Sequence, residues 1–236
     1  MKKRIIASLL TALLIIGVAP VGASAEWRQN SNNSWNWMEN GYSAFYDGWK
    51  QIDGQWYYFK LGFTHIVPQG IDHVLFIISI CLINTKIRSI IYQASAFTVA
   101  HTIALALSMK NIVVAPSPVI EPVIAMSIVF VAVENIVLSE LKPWRILLVF
   151  LFGLVHGLGF ASSLNEIGLP PNKFITSILM FNAGVEVCQV FIITTVFVLL
   201  IRPFKNKTWY RYRIVYPISV AIALISAYWT IERIAG

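Results

Sequence analysis

The stretch FITSILMFNAGVEVCQVFIITTVFVLLI, from Phe174 to Ile201, carries a single charged residue, Glu186. A helix needs about 20 apolar residues to cross a hydrocarbon core roughly 30 Å thick, and this run exceeds that. It also lacks the polar face that a surface helix of a soluble domain would present to water. Outward from it, further apolar runs alternate with short polar breaks. The expected spans are 64–84, 89–109, 119–138, 144–164, 174–201 and 212–232. Pro116, Pro118 and Pro122 bound or kink the start of the third, and Leu169-Pro170-Pro171 breaks the chain between the fourth and fifth. The fold expected is therefore all-α: a polytopic membrane bundle of about six transmembrane helices. The composition of the 236-residue chain agrees, since 57% is hydrophobic and only 12% charged, too little charge for the surface of a soluble domain.

The N-terminus reads differently. Lys2, Lys3 and Arg4 precede an apolar run from Ile5 to Val18, and Ala23-Ser24-Ala25 supplies small residues for a peptidase. That is the pattern of a secretory signal, with cleavage expected after Ala25 and the mature N-terminus outside the cytoplasm. Residues 26–62 hold most of the tryptophans and are rich in Asn, Ser, Gly and Tyr. Within them Gly48 to Phe59 reads as a β-hairpin, with Asp53-Gly54 at its turn and aromatic strands beside it. The same string resembles one cell-wall-binding repeat, which implies contact with the wall. A single copy lacks the ligand site that such arrays form between repeats. An aromatic cap at the outer membrane–water boundary is the reading preferred here. The organisation expected is a signal peptide over 1–25, an extracytoplasmic aromatic segment over 26–62 and a six-helix domain over 63–236.

The net charge of +7 does not imply nucleic acid, because the cations lie in short clusters between apolar runs. With the N-terminus outside, the inner breaks carry Lys86, Arg88, Lys142, Arg145, Arg202, Lys205, Lys207, Arg211 and Arg213. The outer breaks carry only Lys110, Lys173 and Arg233. This bias is what the positive-inside rule requires of a multi-pass plasma-membrane protein. The two cysteines, Cys81 and Cys188, both lie in apolar runs and read as buried thiols.

Ionisable groups are costly in membrane helices, so each asks for a partner or a function. All four histidines fall within the spans: His65 and His73 in the first, His101 in the second, His156 in the fourth. Counted at 1.5 Å per residue, His101 and His156 lie roughly 18 Å from the inner end, and His73 roughly 14 Å below the outer one. Three imidazoles thus meet near one level, somewhat outside the midplane, with Asp72 and Asn182 close to it. Neutral imidazoles with a nearby carboxylate suit a divalent transition metal such as Zn, Ni or Co. His65, nearer the outer boundary, reads as an entry ligand or as merely interfacial. Glu134 and Glu186 lie deeper towards the cytoplasm, where they either continue a path inward or hydrogen-bond within the bundle. Glu121, beside Pro122, is placed near the outer mouth. Gly153, Gly157 and Gly159 are read as points of close helix approach.

Five motifs carry a further resemblance: Gly62-Phe63-Thr64-His65-Ile66, Gly70-Ile71-Asp72-His73, Phe97-Thr98-Val99-Ala100-His101, Glu121-Pro122-Val123-Ile124-Ala125 and His156-Gly157-Leu158-Gly159-Phe160-Ala161. Together, from about Gly62 to about Leu200, they resemble the HupE/UreJ family of membrane proteins. The resemblance implies a secondary permease for nickel, with a first-helix His followed at fixed spacing by Asp-His, here His65, Asp72 and His73. Two departures point to a divergent branch. Six residues, Pro68 among them, separate His65 from Asp72 where the nickel-permease pattern has five. Phe152 and Gly159 stand where that pattern has a second His and a Glu.

Two functions are compatible with this pattern. One is a permease for a divalent transition metal, nickel or cobalt class, with His65, Asp72, His73, His101 and His156 as ligands and Glu121, Glu134, Asn182 and Glu186 along the pathway. The other is a zinc-dependent intramembrane hydrolase or transferase acting on a lipid or lipoprotein near the outer leaflet, with Asp72 or a Glu as general base. The permease is preferred. Membrane lipid and the metal ion are its expected partners.

Overall fold

A computed structural model describes the backbone of residues 25–29, 35–39, 42–43, 55–167 and 174–235. The chain divides into two compact units, Met1–Ile52 and Asp53–Gly236. In the first, β1 (Ala25–Gln29), β2 (Trp35–Glu39) and β3 (Tyr42–Ser43) form an antiparallel sheet in that order, with Trp27 in register with Trp37. Aromatic residues favour such pairing. Of the expected signal peptide, only Ala25 lies among the described residues.

The second unit is helical among its described residues: α1 (Gln55–Ile66), α2 (Ile71–Leu82), α3 (Ile87–Met109), α4 (Ser117–Val137), α5 (Arg145–Ile167), α6 (Phe174–Val196) and α7 (Tyr216–Ala235). Wider π-helical turns extend α6 through Phe197–Ile201 and precede α7 over Arg211–Val215. The expected hairpin over 48–59 is corrected here. Gln55–Phe59 is the first part of α1, and residues 48–54 lie outside the described residues. Tyr58, Gly62, His65 and Ile66 are buried at helical spacing, so tertiary contact along one face overrides the strand propensity of the aromatic run. The helical unit accordingly begins before residue 63.

The first expected span, 64–84, is not one helix. It breaks at Val67–Gly70, and the two arms are bent by 67°. Pro68, which follows a cis bond from Val67, lacks an N–H for the helical ladder, and Gly70 is a poor helix former. The other spans fall close to expectation. α3, α4, the helix Phe174–Phe204 and the helix Arg211–Ala235 are each long and apolar enough to cross a membrane, and the bent pair makes a fifth. α5, apolar over Arg145–Ala161, has 23 residues and so measures roughly 35 Å. The fold is a polytopic helical membrane bundle.

The helices associate chiefly as α3 with α5, α4 with α7 and α1 with α6, around a central α2 that touches α3, α4, α6 and α7. Lipid-facing surfaces are as apolar as the core, so close approach of small residues holds such pairs together. A Cβ on Gly62 would collide with the Phe181 carbonyl, and one on Gly184 with the Phe59 carbonyl, which fixes the α1–α6 crossing. Gly153 and Gly157 lie in the same way against the Phe97 and His101 carbonyls of α3, whereas Gly159 faces the Ile120 and Ile124 side chains of α4.

Polar contacts at the two ends establish the alternation of the helices. At one end Tyr210 donates to the Leu82 carbonyl at the close of α2, and Arg211 donates to the Asn135, Ile136 and Leu138 carbonyls at the close of α4. At the other, Arg233 near the end of α7 donates to the Glu121 carbonyl in the first turns of α4. Arg145 is corrected from a loop cation to a buried one. It is 1% exposed, paired with Glu134 at 2.9 Å, and donates to Gln93 at 3.1 Å and Asn135 at 3.2 Å.

Candidate metal centre

The break between α1 and α2 builds the site. α1 delivers His65 in its last turn, and α2 delivers His73 in its first. A Cβ on Gly70 would strike the His65 carbonyl and stand 3.2 Å from His73 Nδ1, so only glycine leaves room for the two arms to fold together. At 12 residues, α2 is about 18 Å long, little more than half the hydrocarbon thickness. Its first turn stands at the bend, where Ile71 is exposed and Asp72 partly so, while His73 is buried. From α3, His101 completes a group with His65 and His73 whose ligand nitrogens all lie within 4.8 Å of one another. The ring centroids are 4.7 Å apart for His65–His73, 5.9 Å for His73–His101 and 6.0 Å for His65–His101. Phe97, Phe160 and Phe181 wall the group, with Phe160 only 3.8 Å from the His65 ring.

All three rings are buried, yet Nε2 of His65 and Nε2 of His101 have no hydrogen-bond partner. An orphaned buried acceptor costs about 1–3 kcal/mol, so two side by side ask for a common occupant. The His101 ring is held in one tautomer. Asn182 Nδ2 donates to the Ile178 carbonyl at 2.8 Å, which turns its Oδ1 towards His101 Nδ1 at 3.3 Å. An amide oxygen only accepts, so Nδ1 carries the proton and Nε2 keeps its lone pair. Nitrogens bound to one tetrahedral ion stand about 3.4 Å apart. Nitrogens up to 4.8 Å apart need to close by about 1.4 Å to reach that geometry, within side-chain reach. The residues present fit a divalent transition metal.

His156 lies just outside this group. Its Nδ1 is 3.4 Å from His73 Nε2, and its Nε2 is 3.1 Å from Ser127 Oγ. Asp72 is not gathered with the rings, because it forms a 2.9 Å ion pair with Arg233, both partners about one-fifth exposed. Among the pathway candidates, Asn182 sits on His101, Glu186 accepts from Ser95 at 3.1 Å, Glu134 is held by Arg145, and Glu121 is exposed near Arg233. Sequence reasoning overlooked Ser127, Arg145 and Arg233. Ser127 had a detectable signal, a lone hydroxyl within an apolar run. The two arginines did not, since they look like ordinary loop cations.

No curated protein and no solved structure matches the chain. The HupE / UreJ protein model matches residues 44–233, most of the chain and all seven helices but the last residues of α7. It runs across the stretch that resembles a cell-wall-binding repeat, and nothing supports that second likeness. A broken first span that folds two histidines together, beside a third from the next helix, is thus the centre of a chain that belongs to the HupE/UreJ family of nickel- and cobalt-transport-related membrane proteins.

Proposed function

We propose that this protein is a multi-pass permease for a divalent transition metal of the nickel or cobalt class, with His65, His73 and His101 as its transient binding site. The observation that carries this reading is the convergence of three buried imidazoles at a helix break, two of them with unpartnered nitrogens. Three neutral ligands without a coordinating carboxylate leave a dication uncompensated in a low-dielectric interior. Such a site binds firmly enough to load and weakly enough to release, as conduction requires. The hydrolase reading needs a free carboxylate beside the ion as general base. Among the described residues Asp72 and Glu134 are engaged by arginines, Glu186 accepts from Ser95 and Glu121 is exposed at the surface, which favours transport.

The end of the bundle bearing Lys86, Arg88, Lys142, Lys205, Lys207 and Arg213 faces the cytoplasm on the positive-inside rule, and a signal peptide over 1–25 places the mature N-terminus outside. The ion then enters past Asp72 and Glu121 and reaches the three rings. It leaves along α6 past Asn182 and Glu186. Glu134, neutralised by Arg145, stands off that route.

Reconstitution in liposomes loaded with a metal-sensitive dye tests this. Nickel or cobalt influx is expected for the native chain and is abolished in His65→Ala, His73→Ala and His101→Ala. Undiminished flux in all three variants overturns the site. Tightly held, non-exchanging metal without flux overturns transport itself.

A further inference from the structure

We infer that His156 is a positioning residue rather than a metal ligand: with Ser127 it forms a directed hydrogen-bond chain that sets the tautomer of His73 and leaves Nδ1 as the nitrogen His73 offers to the ion. This deepens, and rests on, the assignment of His65, His73 and His101 as the binding site.

The direction of the chain follows from its first link. Ser127 Oγ lies 2.7 Å from the Ile124 carbonyl, which has no proton to give, so the serine donates its only hydrogen there. Towards His156 Nε2, 3.1 Å away, the same oxygen can then only accept, and His156 carries its proton on Nε2. In a neutral imidazole the other nitrogen bears the lone pair, so His156 Nδ1 accepts from His73 Nε2 across 3.4 Å. His73 in turn is protonated on Nε2 and open at Nδ1, the nitrogen on the Gly70 side of the ring, towards the helix break. The order rests on the first link: reversing it would turn the Ser127 hydroxyl away from the Ile124 carbonyl, 2.7 Å off, and towards His156 Nε2, 3.1 Å off. His156 is 1% exposed and both of its nitrogens are occupied by this chain. For it to ligate a metal, one of the two bonds would have to break.

The rings approach edge to face, with centroids 4.8 Å apart and planes at 83°. That geometry aims an edge N–H of one ring at its neighbour. Phe76 and Phe97, with centroids 5.2 Å and 5.0 Å from His156, hold that ring in place and keep water away. His101 is fixed through Asn182 by the same principle, so two of the three proposed ligands have a dedicated partner on their far nitrogen.

Nitrogen NMR of the metal-free full-length protein, with ring-labelled histidine, reads the tautomers directly. His73 and His156 are both expected as Nε2–H forms, and in Ser127→Ala the preference at both rings is lost. An Nδ1–H form at His156 in the native chain overturns the inference, and so does an unchanged pattern in Ser127→Ala. Titration with nickel on the purified protein supplies the second arm. His156→Gln keeps an acceptor for His73 and a donor for Ser127, and is expected to bind within about threefold of native. His156→Leu is expected to lose about 10–100-fold, the range for a broken partner of a metal-bound histidine. Gln as damaging as His73→Ala would make His156 a ligand and overturn the inference. Absence of nickel binding in the native chain would sink the permease reading, while the tautomers of the metal-free protein would still decide the hydrogen-bond chain.

Discussion

At Asp72 and His73, two adjacent residues are sent to different tasks by a rotation of one helical position, about 100°. His73 turns into the bundle, and Asp72 turns out to Arg233. Asp72→Asn is therefore expected to leave nickel affinity within about threefold in calorimetric titration. An ion pair one-fifth exposed contributes no more than about 1 kcal/mol. A complete loss of binding in that variant would return Asp72 to the ligand set. Asn182→Leu acts in the opposite sense. It removes the acceptor that sets His101, and nickel affinity should fall about tenfold or more, with Asn182→Gln recovering little because its longer side chain displaces the oxygen. Residue types and approximate depths were legible in the sequence. Rotational phase was not, because a kinked first span resets it at Pro68.

Helix against helix, two devices hold the bundle. One is the glycine crossing of α1 and α6, where a Gly184→Val change would drive a side chain into the Phe59 carbonyl. Backbone cannot yield as a side chain does, so a loss of about 1–3 kcal/mol is expected, read as a lowered thermal midpoint in detergent. The other is the polar knot of Glu134, Arg145, Gln93 and Asn135, which ties α3, α4 and α5, and reaches α2 where Asn135 donates to the Ser79 carbonyl. Its members are almost fully buried. Glu134→Ala leaves a guanidinium uncompensated and should destabilise by about 3–5 kcal/mol, whereas Glu134→Ala combined with Arg145→Met should regain most of that loss. Equal damage in the single and double variants would show that the pair is not what matters there. The glycines were visible in the sequence as points of close approach. The knot was hidden, because Arg145 stands next to a break and reads as solvated.

For the whole molecule, the alternation of helices and the clustering of cations at one end make a topology that labelling can test. Cys81 and Cys188 are both buried, so a single introduced cysteine reports alone. In intact cells a membrane-impermeant maleimide should label Lys110→Cys and leave Lys205→Cys untouched until the membrane is opened. The reverse pattern would invert the bundle and, with it, the direction in which the histidines are approached.

Hydropathy alone determined that this chain crosses a membrane and roughly where, because the cost of exposing backbone or charge to hydrocarbon acts locally, residue by residue, and leaves its mark on composition. It also determined that the histidines lie inside, since span limits follow from the same term. Which histidines cluster was decided only in three dimensions. His65 and His73 stand eight positions apart, so a straight helix would hold them roughly 12 Å apart along its axis. The bend at Val67–Gly70, set between α1 packed on α6 and α2 packed against α3, α4, α6 and α7, brings their rings to 4.7 Å. The physical reason is that packing chooses the angle of a break, whereas sequence marks only where a break is allowed.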